Sequence, residues 1–182
     1  MKEAKSISLP LSPKTVGGLR CGDLVLLSGD VITGRDMAHK RLCAMISDGA
    51  KLPVDIKGET IYYVGAAPAK PGHACGSAGP TSSKRMDAFT PMLMDNGLLG
   101  MIGKGRRSAA VKEAIVKRRG IYFCAIGGAG ALMSKAITRS ELICFGDLGT
   151  EAVYRYTLKD FPCIVGIDST GKDIFERGEA AE

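Results

Sequence analysis

An α/β fold with a mixed, mainly parallel sheet core flanked by helices is what this sequence predicts. Three observations carry that reading. Apolar runs of strand length alternate with helix-period segments between residues 24 and 146. Glycine or a capping hydroxyl punctuates most of the changes between them. Toward both ends, apolar and polar residues alternate at strand period, which adds antiparallel β structure. The 182 residues suit one domain with a real core, and neither a linker nor an internal repeat divides them. A single domain is expected over 1–178, followed by a disordered tail over 179–182.

Taken in order, Ile7, Leu9 and Leu11 alternate as in an edge strand, and Pro13 with two glycines reads as a loop. Leu24 to Ile32 reads as a strand bent at Ser28-Gly29-Asp30. Ala38, Leu42, Met45 and Ile46 recur at helical spacing between Asp36 and Asp48, and Gly49 stops that helix. A loop from Lys51 to Glu59 precedes a strand from Ile61 to Ala67. After the glycine-rich stretch Cys75–Asp87, an apolar-periodic helix is expected from Thr81 to just before Pro91. Thr90-Pro91 opens a second short helix that runs to Asn96-Gly97. Leu98–Ile102 is a strand. Ser108 caps a helix with Val111, Ala114 and Ile115 on one face and Gly120 as its stop. Ile121–Ile126 is a strand, then Leu132, Met133 and Ile137 mark a short helix. Glu141–Phe145, Ala152–Leu158 and Cys163–Ile167 read as strands, with a hairpin through Ser169–Lys172.

Composition narrows the function classes. Glycine is abundant at 24 residues, aromatics are 5%, and Trp is absent. That argues against stacking platforms for single-stranded nucleic acid. The formal charge of +6 suits an anionic ligand, an acidic partner or nucleic acid. The basic clusters Lys104–Arg107 and Lys117–Arg119 are short, and no nucleic-acid-binding signature accompanies them. The six cysteines form no C-x-x-C pair, so neither a zinc nor an iron–sulfur site is expected from this chain alone. Cys75 stands apart from the others by lying in the glycine-rich loop. Neither a signal peptide nor a membrane span is read, and a cytoplasmic protein is expected. Gly127 to Ala131 matches a dinucleotide fingerprint poorly, because Met133 stands where the pattern needs glycine.

Three strand-to-helix turns combine glycine with a cation: Gly34-Arg35, the loop from Gly76 to Arg85, and Gly103-Lys104-Gly105. Ligands of α/β sheets gather outside the carboxyl ends of strands. Arg35, Arg85 and Lys104 are therefore expected to converge, and three cations suit a ligand with two carboxylates. The hydroxyls Thr81, Ser82 and Ser83 suit a helix N-cap, where backbone N–H groups favour an anion. An ordinary capped helix after a glycine-rich loop fits that stretch as well. His39, one turn into its helix, reads as a structural hydrogen bonder. No carboxylate or histidine pairs with Thr81 as in a triad. Anion binding is well provided for, and the catalytic set is incomplete.

Seven blocks then appear in order: Gly34-Arg-Asp-Met-Ala-His-Lys-Arg41, Tyr63-Val-Gly-Ala, Gly79-Pro-Thr-Ser-Ser-Lys-Arg-Met-Asp87, Gly103-Lys-Gly-Arg-Arg-Ser108, Ile126-Gly-Gly-Ala, Leu148-Gly-Thr-Glu-Ala-Val153 and Asp160-Phe-Pro162. Together they resemble the β subunit, or C-terminal domain, of class I fumarate hydratase and the related L-tartrate dehydratase. The resemblance covers nearly the whole chain. That family usually has Asn where Arg106 stands, so no role is carried to 106. The resemblance implies a swivelling β/β/α domain. It also implies a partner α subunit holding a [4Fe-4S] cluster, with the active site between the two chains. The implied activity is reversible hydration of fumarate to L-malate. Arg35, Arg85 and Lys104 match the family's substrate-carboxylate positions, and Thr81 matches its proton-transfer hydroxyl. L-Tartrate dehydration is the nearest alternative. A non-catalytic carboxylate-binding module and a nucleic-acid binder are the readings from other classes.

Overall fold

The computed structural model describes residues 3–69, 71–125 and 130–176. Its elements in chain order are β1 (Lys5–Ser8), α1 (Pro13–Gly18), β2 (Leu24–Thr33), α2 (Asp36–Ser47), β3 (Thr60–Tyr62), a 3₁₀ turn (Ser83–Met86), α3 (Thr90–Asp95), β4 (Gly100–Gly103), α4 (Ala109–Arg118), β5 (Ile121–Ala125), α5 (Gly130–Lys135), β6 (Ile137–Cys144), a second 3₁₀ turn (Gly146–Glu151) and β7 (Val153–Ile167). Among the described residues, no helix is long and apolar enough to cross a membrane.

These seven strands share one mixed sheet. β1 to β5 lie side by side and parallel. β7 runs antiparallel to β2, β5 and β6. Because β7 pairs with β5 and also with β2, the strands β2-β3-β4-β5-β7 close into a barrel-like ring. β1 and β6 are added outside that ring, on β2 and β7.

The closure was not foreseen. Asp160-Phe-Pro162 breaks the apolar pattern, so two strands are read where one 15-residue strand runs. Pro162 lacks an N–H to donate, and Asp160 adopts φ 50°. Pairing with β2 nonetheless continues on both sides of the break, through a register shift between Leu27 and Gly29. A bulge of this kind increases local twist, which a closing ribbon needs.

Alternation along the ring sorts the core into two layers. Val25, Leu27, Val31, Tyr62, Ile102, Phe123, Phe161 and Val165 belong to one buried cluster. Ile32, Ile61, Tyr63, Met101, Tyr122 and Ile167 belong to another, packed against Ala38 and Leu42 of α2, Leu93 and Met94 of α3, and Val111 and Ile115 of α4. α2, α3 and α4 therefore lie on the outer face of β2 to β5, whereas Val16 of α1 and Met133 of α5 belong to the first cluster.

Other expectations are refined. Pro13 begins a helix rather than a loop: Ser12 caps α1, its hydroxyl accepting from the Thr15 N–H at 3.0 Å. β3 stops at Tyr62 rather than Ala67. Ile137 opens β6 instead of ending α5. The helix expected after Thr81 is a correction: only a single 3₁₀ turn forms there, and Ser82 gives it no side-chain cap. The block Ile126-Gly-Gly-Ala and the tail beyond Glu176 lie outside the described residues.

Candidate functional site

β2, β3 and β4 are adjacent and parallel, and they end within one residue of each other in register. Thr33 pairs with Tyr62, and Tyr62 with Ile102. The chain leaves all three strands on one rim, with neighbouring strands roughly 4.8 Å apart. Arg35 follows β2 as the N-cap of α2. Thr81 is tied to the end of β3, its N–H donating to the Tyr63 carbonyl at 2.8 Å, beside a bridge between Val64 and Pro80. Lys104 directly follows β4 and is bridged to Ser82. Arg85 sits on the 3₁₀ turn and reaches the start of α2: its Nε donates to Asp36 Oδ1 at 2.9 Å, and Nη2 lies 2.9 Å from Oδ2. The structure thus gathers the four sequence-selected residues on one rim, from separate corners of the chain.

Two glycines permit the close approach. A Cβ at Gly65 would lie 2.5 Å from Arg35 Nη1 and 3.1 Å from the Thr150 carbonyl, so the arginine lies flat on bare backbone. A Cβ at Gly103 would lie 2.0 Å from Ser83 Oγ. Ser83 needs that space because its buried hydroxyl accepts from the Lys104 N–H at 3.0 Å and bonds Tyr122 OH at 2.9 Å. The hydroxyl read as a helix cap instead clamps the β4 corner.

Two of the three cations already face carboxylates. Arg35 Nη2 stands 3.8 Å from Glu151 Oε1. Glu151 Oε2 accepts from the Met37 N–H at 3.0 Å, satisfying a donor in the first turn of α2. Among the described residues, Lys104 makes no ion pair, and the Thr81 hydroxyl has no hydrogen-bond partner. The cavity of about 410 Å³ walled by Ala66, Ala74, Cys75, Thr150, Tyr154 and Tyr156 does not include these four residues. Its walls are mostly apolar, which suits a dianion poorly. The candidate site is the open rim, not that cavity. Cys75 packs into the inner core cluster, and burial pushes its thiol up.

Sequence reasoning missed the network beneath the rim. The Arg107 side chain is 0% exposed and donates from Nε to Asp87 Oδ1 at 2.7 Å. Its Nη2 donates to Thr90 Oγ1 at 2.8 Å and Tyr63 OH at 3.3 Å. The guanidinium also lies 5.3 Å from the Tyr63 ring centre and 4.9 Å from that of Tyr122. Asp87 Oδ2 accepts from the Ser108 N–H at 2.6 Å, so one pair locks the start of α4 to the 3₁₀ turn. A buried acid and base in blocks 20 residues apart carry no local signal that they meet.

His39 is structural, as expected. It is fully buried, and its Nδ1 bonds the Arg35 carbonyl at 2.8 Å. Burial, partly opposed by that bond, lowers its pKa from 6.5 to about 4. The native ring is therefore neutral at pH 7. As pH falls through 6.5, the unfolded chain takes up the proton first. This contribution to stability is complete above about 6.5 and is lost progressively toward 4. At about 1.4 kcal/mol per pH unit, it amounts to roughly 3 kcal/mol. Wild type is expected to lose about that much more stability than His39→Asn between pH 7 and pH 4, measured by urea unfolding. Parallel stability profiles would show that His39 does not titrate this way.

The chain presents cations at the carboxyl ends of its parallel strands, the end at which α/β sheets place their ligands. The chain belongs to the fumarase C-terminus family, whose model matches residues 1–178. It is 38% identical over 153 residues to "Fumarate hydratase class I, anaerobic" of Escherichia coli, covering 83% of this chain and 28% of that protein. It is 36% identical to "Fumarate hydratase 2" of Leishmania major, covering 86% of this chain and again 28% of the relative. It is 34% identical over 172 residues to a Methanocaldococcus jannaschii protein provisionally named L(+)-tartrate dehydratase subunit beta, covering 91% of this chain and 88% of that one. The chain therefore spans little more than a quarter of the fumarate hydratases' length.

Proposed function

We propose that this chain is the β part of an iron–sulfur-dependent hydro-lyase that interconverts fumarate and L-malate. The observation that carries the reading is the shared rim holding Arg35, Thr81, Arg85 and Lys104, in a chain of this family. Arg35 and Arg85 hold substrate carboxylates through charge-assisted hydrogen bonds, and Lys104 adds a third cation. Thr81 moves the proton at the carbon next to a carboxylate. A free alcohol is a weak base near neutral pH, so the neighbouring cations must lower the cost of its alkoxide or of a relay through it.

The described residues do not fit a [4Fe-4S] cluster. No group of three or more His, Cys, Asp or Glu among them could hold a metal. The rim offers guanidinium and ammonium groups, which do not ligate iron. We therefore assign the cluster to a partner α subunit, with substrate between the chains. Residues 1–178 act in this reading as one swivelling domain that closes on that partner. The free cysteines agree with a reducing compartment such as the cytoplasm.

L-Tartrate dehydration is the second reading. The match covering 88% of a chain named as a tartrate dehydratase β subunit favours it. Coexpression with candidate cluster subunits, followed by malate and tartrate assays, separates the two. In the assembled enzyme, Arg85→Lys keeps the charge but loses the planar fork. It is expected to lower kcat/KM for the preferred dicarboxylate about 30-fold, or roughly 2 kcal/mol. An unchanged kcat/KM would remove Arg85 from the substrate site.

A further inference from the structure

We propose that Asp36 is a positioning residue for Arg85: its carboxylate fixes the arginine's guanidinium so that the Nη1 donors face the ligand. The inference rests on the dicarboxylate reading. Arg85 belongs to an isolated 3₁₀ turn, and its side chain is 49% exposed. A long arginine in such a place has large rotamer freedom, which a ligand would otherwise have to freeze. Asp36 holds it through one hydrogen bond, Nε to Oδ1 at 2.9 Å, while Nη2 lies 2.9 Å from Oδ2 as an ion pair without hydrogen-bond geometry. The hydrogen bond together with the close ion pair restricts where the guanidinium can lie. Of the five N–H donors, the two on Nη1 take no part in this contact and remain available to a ligand carboxylate.

The location of Asp36 supports the role. It is the first residue of α2, immediately after Arg35. A carboxylate there is stabilised by the helix N-terminus, so it holds its charge and its place. Through Asp36, the corner after β2 governs the arginine on the turn beyond β3, a residue 49 positions along the chain. The two arginines are thereby set relative to each other before a ligand arrives. Glu151 makes a looser contact with Arg35, at 3.8 Å.

The test compares Asp36→Asn, Arg85→Lys and the double variant in the complex with the cluster-bearing subunit. Asp36→Asn is expected to raise KM for the dicarboxylate about tenfold while kcat stays within about twofold. The double variant is expected to match Arg85→Lys within about twofold, because Asp36 acts only through that arginine. The pair is partly exposed, so the melting temperature of Asp36→Asn should fall only slightly. If Arg85→Lys is impaired but Asp36→Asn keeps the wild-type KM, the positioning role is wrong and the dicarboxylate reading stands. Multiplicative effects in the double variant would likewise overturn it. If Arg85→Lys itself changes nothing, Arg85 lies outside the substrate site, and the inference fails with that part of the reading.

Discussion

Arg107→Met is expected to lower the unfolding free energy by about 3–5 kcal/mol. The variant keeps an apolar side chain where the arginine stem lies. The loss comes from what the arginine leaves behind. Asp87 is nearly buried, and without Arg107 its carboxylate keeps only the Ser108 N–H named above as a partner. Thr90 and Tyr63 each lose a charged donor. A buried charge stripped of its counter-ion costs far more than a surface pair, whose median worth is about 0–1 kcal/mol. Replacing both members, as Arg107→Met with Asp87→Leu, is expected to cost less than the single change, because no charge is then stranded. Urea unfolding of the three proteins gives the comparison. A single variant within about 1 kcal/mol of wild type would show that the pair does not hold the 3₁₀ turn to α4.

How far the site could be read beforehand follows from the same distinction between local and long-range signals. Arg35 and Lys104 are preceded by glycine at the end of an apolar run, so their strand-end positions follow from nearby residues. The shared rim then follows from the parallel order. What lies between the corners was invisible. Asp36 meets Arg85 across 49 residues, and Glu151 meets the Met37 N–H across 114. Nothing local distinguishes Asp36 from an ordinary acid in a first helical turn. The 3₁₀ turn was misread for a related reason. The segment after Thr81 reads as apolar-periodic, yet Ser83 is drawn to Lys104 and Tyr122, and Asp87 to Arg107 and Ser108. Tertiary hydrogen bonds outweighed a weak local preference. The barrel-like closure was hidden by Pro162, because the rule that proline ends a central strand does not register a bulge that absorbs it.

Thr81→Val should reduce kcat of the assembled enzyme by roughly 10²–10⁴-fold, the range for loss of a positioned proton-transfer group. Valine keeps the branched shape and removes only the hydroxyl. Among the described residues that hydroxyl has no hydrogen-bond partner, so its loss strands no buried group and stability should change by less than about 0.5 kcal/mol. The tie that places the loop is the Thr81 N–H donating to the Tyr63 carbonyl, and valine retains it. Carboxylate binding belongs to Arg35, Arg85 and Lys104 in the proposed arrangement, so KM should stay within about threefold while kcat falls. Thr81→Ser restores a hydroxyl at nearly the same place and should recover part of the rate. A purely structural threonine predicts the opposite order, with valine tolerated better than the smaller serine. Turnover of Thr81→Val above about a third of wild type, at saturating dicarboxylate, would assign the proton transfer to another group.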